Sequence, residues 1–99
     1  MVVNRLSNKI ALVTGSSSGL GRAISLAYSD EGATVICTDL TQDARPDLPE
    51  ESLLPTHEVI LQRGGKSTFM KVDVLIEHEV AAAIEKAVEI YGRLDMSVL

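Results

Sequence analysis

The sequence predicts an α/β fold in which about four parallel strands alternate with three helices. Three observations support this prediction: an apolar run ends in a glycine-rich loop at Gly15, an amphipathic segment follows the loop, and a second apolar run occupies residues 34–39. A strand, a helix and a second strand within about 30 residues form a βαβ unit. Its two strands are expected to lie parallel, joined by a right-handed crossover.

The first half of the chain supplies this βαβ unit. Residues 9–14 (KIALVT) predict a strand that is buried on both faces, because the run is mostly apolar. A helix from Leu20 to a C-cap at Gly32 is indicated by four apolar residues at helical spacing, namely Ala23, Ile24, Ala27 and Tyr28. Residues 34–39 (TVICTD) are β-branched and apolar, and they predict a second buried strand.

The second half continues the alternation after a change in composition. Residues 40–55 contain all three prolines and several acids, which predicts a surface loop. A short helix is then expected over residues 56–63 and a third strand over residues 66–73, and residues 94–99 begin a fourth strand. The helix that ends at Gly92 is the most strongly indicated, with an apolar stripe formed by Val80, Ala83, Ile84, Ala87, Val88 and Tyr91.

The composition argues against several functions. With 99 residues the chain forms one domain at most. A net charge of −5, 3% aromatic residues and no tryptophan argue against nucleic-acid binding. No run approaches the roughly 18 apolar residues of a membrane span, and the N-terminal segment lacks the apolar core of a signal peptide. The single cysteine, Cys37, excludes a disulfide framework within the chain. Because Cys37, His57 and His78 fall on separate elements, we also expect no metal site. Together these features predict a cytoplasmic protein.

The glycine-rich loop is the first candidate site. Its glycines at 15, 19 and 21 match neither the P-loop nor the usual G-x-G-x-x-G spacing. The physical logic is nevertheless that of a dinucleotide site: one glycine permits the sharp turn, and the others let the ligand and the helix approach the backbone. The N-terminus of the helix then faces a pyrophosphate, with the serine hydroxyls as further donors. The candidate cofactor-binding residues of the loop are Gly15, Ser16, Ser17, Ser18, Gly19, Leu20 and Gly21.

An acid, Asp39, closes the second strand eighteen positions beyond Gly21, close to the roughly 20 expected for a dinucleotide site. Its carboxylate would accept hydrogen bonds from both hydroxyls of an adenosine ribose and would repel a 2′-phosphate. A partner for such a phosphate would be Lys or Arg at positions where this chain has Ser18 and Leu40. The sequence therefore favours NAD over NADP and places Leu40 with Asp39 in the candidate site. One alternative stays open, namely that Arg22, the one nearby cation, moves toward a 2′-phosphate and so allows NADP to bind.

The segment TGSSSGLG (residues 14–21) matches the TGxxxGxG motif of the short-chain dehydrogenase/reductase family, which the chain resembles over essentially its whole length. The resemblance implies a Rossmann-type, doubly wound parallel sheet, with the first two helices on one face and the third on the other. It also implies NAD(P)-dependent hydride transfer between an alcohol and a carbonyl. KVDV (residues 71–74) resembles the family's segment after its third strand, which implies adenine contacts from the Asp73 side chain and the Val74 backbone.

The chain departs from the family pattern after Asp95. The family continues into Leu-Val-Asn-Asn-Ala-Gly, where this sequence has residues 96–99 (MSVL). The family's catalytic Ser and Tyr-x-x-x-Lys pair are not found, since Tyr28 is followed at the fourth position by Gly32 and Tyr91 by Asp95. We therefore expect a single truncated domain over residues 1–99 that keeps the adenylate half of a cofactor site and is inactive alone.

Besides the oxidoreductase fragment, two other interpretations stay open. The chain is a non-catalytic regulatory protein that binds a nucleotide or a partner, or it is a truncated gene product without function. The fourth strand would leave an apolar sheet edge. This edge predicts marginal stability, with either a homo-oligomer or pairing to a full-length relative.

Overall fold

The computed structural model describes residues 5–43 and 54–98. Within them, strands and helices alternate along the chain as predicted. The strands are β1 (Ile10–Thr14), β2 (Thr34–Asp39), β3 (Lys66–Lys71) and β4 (Met96–Val98). The helices are α1 (Gly19–Asp30), α2 (Thr56–Gln62) and α3 (Glu77–Tyr91). The predicted loop at 40–55 falls largely outside the described residues, so it stays a prediction.

The four strands form one parallel sheet in the order β3-β2-β1-β4. In this sheet Leu12 of β1 lies opposite Ile36 of β2 and opposite Ser97 of β4. The arrangement confirms the predicted α/β fold. Because parallel strands point the same way, the loops that follow β1, β2 and β3 all leave from one edge of the sheet. We call this edge the carboxyl edge.

The helices cover both faces of the sheet. On one face, Leu12 belongs to a cluster with Ala83 and Ala87 of α3. On the other face, α1 and α2 pack over a second cluster that comprises Val13, Ala33, Val35, Cys37 and Ile60. Successive residues of a strand point to opposite faces, so the uninterrupted apolar run of β1 supplies both clusters. The predicted distribution of two helices on one face and the third on the other is confirmed.

The buried side of α1 differs from its predicted apolar stripe. Ile24 packs against the core, but Ala23 and Ala27 are exposed. The buried positions of α1 are two polar residues, Arg22 and Ser25. Apolar spacing misplaced the stripe because a polar side chain can be buried where it finds a hydrogen-bond partner. The hydroxyl of Ser25, for example, donates to the carbonyl oxygen four residues earlier at 2.8 Å.

The apolar stripe of α3 is confirmed apart from one residue. Ala83 and Ala87 are buried, and the side chains that pack against the same cluster are Val80, Ile84 and Tyr91. Val88 is 43% exposed, because it lies at the margin of the stripe, rotated roughly 100° from its neighbour Ala87. Neither α3 nor any other helix in the described residues is long and apolar enough to cross a membrane.

Asp95 ties the start of β1 to the segment before β4. Its carboxylate accepts the Ile10 N–H at 2.8 Å and the Arg93 Nε–H at 3.0 Å. Its own N–H donates to the Ile10 carbonyl oxygen at 2.9 Å. The hydrogen bond from Ile10, with a smaller contribution from Arg93, holds the pKa of the Asp95 carboxyl below its ordinary value of 3.8. The ionised carboxylate therefore stabilises the junction between β1 and β4.

We predict that Asp95→Asn lowers the free energy of unfolding at neutral pH. The folded-state pKa of Asp95 lies below that of the unfolded chain, so its stabilisation is present above pH 3.8 and is lost as the pH falls through the folded-state pKa. Urea denaturation of the wild type and the variant at several pH values measures this effect. The two stabilities should differ at neutral pH and converge in acid, and a constant difference at every pH would contradict the prediction.

Candidate functional site

The loop between β1 and α1 turns the chain through a close backbone contact. Gly15 and Gly19 have positive φ angles of 62° and 56°, a conformation that is unfavourable for residues with a side chain. Gly21 meets a different constraint. A Cβ atom there would lie 2.0 Å from the Gly15 carbonyl oxygen and 2.6 Å from the carbonyl carbon. Each glycine of the predicted motif therefore has a physical reason in the fold.

The N-terminus of α1 opens onto the carboxyl edge at this loop. Ser18 is the N-cap residue, with an extended backbone at φ −153°, and its side chain makes no capping hydrogen bond. The first turn of α1 contains no acidic residue. The positive end of the helix dipole thus faces this edge without a carboxylate from its own first turn, an arrangement that favours an anionic ligand.

Two of the three loop serines point inward rather than toward a ligand. The Ser16 hydroxyl donates to the Thr38 carbonyl oxygen at 3.2 Å, and the Ser17 hydroxyl donates to the Thr41 carbonyl oxygen. Both serines are buried. This corrects the prediction that all three hydroxyls are donors to a ligand, because a buried hydroxyl needs a partner and carbonyl groups near the end of β2 supply it. Their side chains attach the loop to that strand end.

Asp39, the last residue of β2, lies directly beside the loop. Its Oδ2 atom accepts the Ser17 N–H at 3.1 Å, and its Oδ1 atom accepts the Leu40 N–H at 2.7 Å. The residue is half-buried, whereas Leu40 next to it is exposed. The structure therefore brings together the glycine loop and the acid that the sequence singled out.

Asp73 follows β3 on the same edge. Val72, just before it, donates its N–H to the Asp39 carbonyl oxygen at 2.9 Å, which holds the two acidic segments side by side. The Asp73 carboxylate accepts the Leu75 N–H at 3.0 Å, so it also forms the turn that leads into α3. Large apolar side chains are exposed around this edge, namely Leu20, Leu40, Val74 and Leu75.

Arg22 and Thr56 form a buried contact beneath the loop. Arg22 is 6% exposed, and its Nη1 atom donates to the Thr56 Oγ1 atom at 3.0 Å. The Thr56 hydroxyl in turn donates to the Ser16 carbonyl oxygen at 2.6 Å. The sequence identified Arg22 only as a nearby cation and carried no signal for Thr56, which comes from the first residue of α2.

The cysteine and the two histidines lie on three separate elements, β2, α2 and α3. Cys37 is buried, and burial raises the pKa of its thiol although the Ser67 hydroxyl lies 3.5 Å away. The His57 ring packs against Phe69 with ring centroids 5.8 Å apart, and His78 is exposed on α3. In the described part of the chain, no group of three or more His, Cys, Asp or Glu residues could hold a metal ion. The groups that the carboxyl edge presents to a ligand are backbone N–H groups, the carboxylates of Asp39 and Asp73, and apolar side chains.

The glycine loop, the acid that ends β2 and the acid that follows β3 are features of one protein family. The family model described as short chain dehydrogenase matches residues 9–99, which include the glycine loop, Asp39 and Asp73. The chain belongs to the short-chain dehydrogenase family. Members of this family are oxidoreductases that use NAD(P) cofactors, so the resemblance noted in the sequence is confirmed.

Other short-chain dehydrogenases match nearly all of this chain. It is 36% identical over 94 residues to hydroxysteroid dehydrogenase-like protein 2 of Bos taurus, covering 95% of this chain and 22% of that protein. It is 38% identical over 93 residues to 3-hydroxyacyl-CoA dehydrogenase type-2 of Drosophila melanogaster, covering 94% and 32%. The crystal structure of hydroxysteroid dehydrogenase from Escherichia coli superposes with a TM-score of 0.79 at 28% identity, covering 95% and 37%. This confirms the Rossmann-type fold, and the chain spans only part of each relative.

We predict that Gly21→Ala destabilises the fold much more than Gly19→Ala. A methyl group at Gly19 meets open space, so only backbone strain of about 1–2 kcal/mol is expected. At Gly21 it would overlap the Gly15 carbonyl group, so α1 must move and the free energy of unfolding should fall by about 3 kcal/mol or more. Denaturant unfolding measures both changes.

Gly64→Ala is the matched control for these variants. Gly64 also has a positive φ angle, 85°, and open space around its Cβ position, but it lies beyond α2. Its stability loss should match that of Gly19→Ala. Equal stability of Gly21→Ala and Gly19→Ala would show that the backbone contact is unimportant.

Proposed function

We propose that this chain binds the adenosine and pyrophosphate portion of NAD, within an oxidoreductase of the short-chain family. One observation carries the proposal: the glycine loop at the N-terminus of α1 is hydrogen-bonded through Ser17 N–H to the carboxylate of Asp39. An anion-binding helix end beside an acceptor for ribose hydroxyls suits a ligand in which pyrophosphate and ribose are adjacent. Backbone groups of residues 15–21 would contact the pyrophosphate, while the Ser16 and Ser17 hydroxyls hold the loop.

The preference for NAD over NADP rests on the charge of Asp39. Each of its carboxylate oxygens accepts one backbone N–H, and a carboxylate offers about four lone-pair sites, so acceptor capacity is left for ribose hydroxyls. A 2′-phosphate would bring a second negative charge against this group. Arg22, the nearby cation, is buried and donates to Thr56. Its position supports the choice of NAD.

We propose that the adenine ring lies near Asp73, against Leu40 and Val74. These two apolar side chains are 57% and 54% exposed at the carboxyl edge. Covering them with a flat ring would remove apolar surface from water, at roughly 25 cal/mol per Å². A ligand site that combines apolar walls with a few placed polar groups is the usual pattern for small-molecule recognition.

We infer that hydride transfer is not performed by these 99 residues alone. Neither Tyr28 nor Tyr91 is followed by lysine at the fourth position, and both rings pack against the hydrophobic clusters of the sheet. An assay of NADH formation tests this inference. Its substrates are a hydroxysteroid and a 3-hydroxyacyl-CoA, because two similar proteins are named for these compounds. Turnover above the rate without protein would contradict it.

We further propose that the β4 side of the sheet receives a partner strand. β4 is the outer strand on that side in the described residues, and sheet edges readily pair with further strands. The expected partner is a second copy or a longer relative. Sedimentation at several protein concentrations would reveal self-association. A monomer at every concentration would exclude a second copy and leave a longer relative as the expected partner.

We predict that the wild type binds NAD more tightly than NADP. Asp39→Asn should reduce the ratio of the two affinities by about tenfold, or about 1.4 kcal/mol, because the amide still accepts hydrogen bonds but no longer repels the 2′-phosphate. Isothermal titration calorimetry with NAD, NADP and AMP measures these affinities.

Asp43→Asn serves as the control for charge, since Asp43 is a nearby exposed acid. It should leave the ratio of NAD to NADP affinity unchanged. Comparable weak binding of NAD and AMP would support an adenylate half-site. Absence of binding at millimolar ligand would overturn the proposed function.

A further inference from the structure

A continuous chain of hydrogen bonds links the buried Arg22 side chain to the Asp39 carboxylate. Arg22 Nη1 donates to Thr56 Oγ1 at 3.0 Å, and the Thr56 hydroxyl donates to the Ser16 carbonyl oxygen at 2.6 Å. This carbonyl belongs to the same peptide group as the Ser17 N–H, which donates to Asp39 Oδ2 at 3.1 Å. A cation and a carboxylate thus lie at opposite ends of a chain that passes through one peptide of the glycine loop.

Each hydrogen bond in this chain strengthens the next one. Thr56 accepts a hydrogen bond from a charged group, which makes its own hydroxyl a better donor. The Ser16 carbonyl accepts that bond, and the polarised peptide becomes a better donor at Ser17 N–H. Arg22, Thr56 and Ser16 are 6%, 2% and 0% exposed. The first links therefore lie where water competes little and where electrostatic interactions are strong.

The same bonds attach α2 to the loop. Thr56 is the first residue of α2, and its hydroxyl contacts a side chain of α1 and the loop backbone at once. The loop is held a second time by the bond from the Ser17 hydroxyl to Thr41, just after β2. The Ser16–Ser17 peptide is therefore restrained on both its carbonyl and its amide side.

We propose that Arg22 and Thr56 are positioning residues for Asp39 and thereby contribute to the choice between NAD and NADP. The inference rests on the proposed function, because it concerns the same ribose site. Arg22 acts through Thr56 and the loop peptide, which hold Oδ2 of Asp39 against the loop and keep the carboxylate in one orientation. Breaking the chain weakens the hold on Oδ2 and leaves the carboxylate fixed mainly by the Leu40 N–H on Oδ1. It therefore weakens NAD binding and the rejection of NADP together.

Thr56→Val and Thr56→Ser test the middle of the chain. Valine keeps the shape of threonine without the hydroxyl, whereas serine keeps the hydroxyl. We expect the NAD affinity of Thr56→Val to fall about fivefold, the effect of one hydrogen bond, with a smaller change for NADP. Thr56→Ser should remain within about twofold of the wild type for both ligands.

Ser67→Ala is the matched control. The Ser67 hydroxyl donates to the Val35 carbonyl oxygen, also at 2.6 Å, near the opposite edge of the sheet. The variant should lose stability as Thr56→Val does, yet keep the wild-type ratio of NAD to NADP affinity. A ratio that falls equally in both variants would assign the effect to stability and overturn the positioning role.

Arg22→Lys tests the first link, because an ammonium group cannot reproduce the geometry of the guanidinium. It should lower the NAD affinity, and the double variant with Thr56→Val should lose no more than Thr56→Val alone, since both changes break one chain. Fully additive losses would show that Arg22 and Thr56 act independently and would overturn the linkage.

The Ser17 amide resonance supplies a measurement without any ligand. In nitrogen–proton correlation spectra of the whole chain, the chemical shift of this amide should change in Thr56→Val. It should keep its wild-type value in Thr56→Ser and in Ser67→Ala. An unresponsive Ser17 amide would overturn the hydrogen-bonded chain itself. A wild type that binds neither NAD nor NADP would overturn the proposed function, and the specificity role with it. If the wild type binds NAD but Thr56→Val has the same ratio of NAD to NADP affinity as the wild type, the positioning role alone would be overturned.

Discussion

The rest of the site depends on the close approach of Gly21 to the carbonyl group of Gly15. The missing side chain at Gly21 lets the first turn of α1 touch the backbone that leaves β1. The N-terminus of α1 then lies at the same edge as the end of β2, so the helix dipole and Asp39 face one space. In the same loop, the hydroxyls of Ser16 and Ser17 donate to carbonyl groups at and beyond the end of β2.

The polar groups near this contact lie in two layers. The outer layer holds the helix N-terminus and the half-buried Asp39. The inner layer holds Arg22 with Thr56, and it supports the loop from below. Burying a charge is unfavourable unless hydrogen bonds accompany it, and the first residue of α2 supplies one of them. The short helix α2 thus supports the glycine loop of the candidate site through the Thr56 side chain.

Much of the fold and part of the site were predictable because they depend on short stretches of chain. The apolar runs of β1 and β2 indicated strands buried on both faces, and the spacing of Gly15, Gly19 and Gly21 indicated the turn. The buried face of α1 was less predictable, since apolar spacing pointed to Ala23 and Ala27. Hydrogen-bond partners elsewhere in the fold made Arg22 and Ser25 the buried residues instead.

By itself, the sequence determined the alternation of strands and helices, the glycine loop and the place of Asp39 at the end of β2, because hydrophobic periodicity and missing side chains act over a few residues. Only the tertiary structure decided that Arg22 turns inward and that Thr56 holds the loop. Thr56 lies 34 residues from Arg22 and 40 from Ser16 along the chain. Such partners meet only after the sheet and its helices have assembled, and the orientation of a buried polar side chain follows from the partners that it meets there.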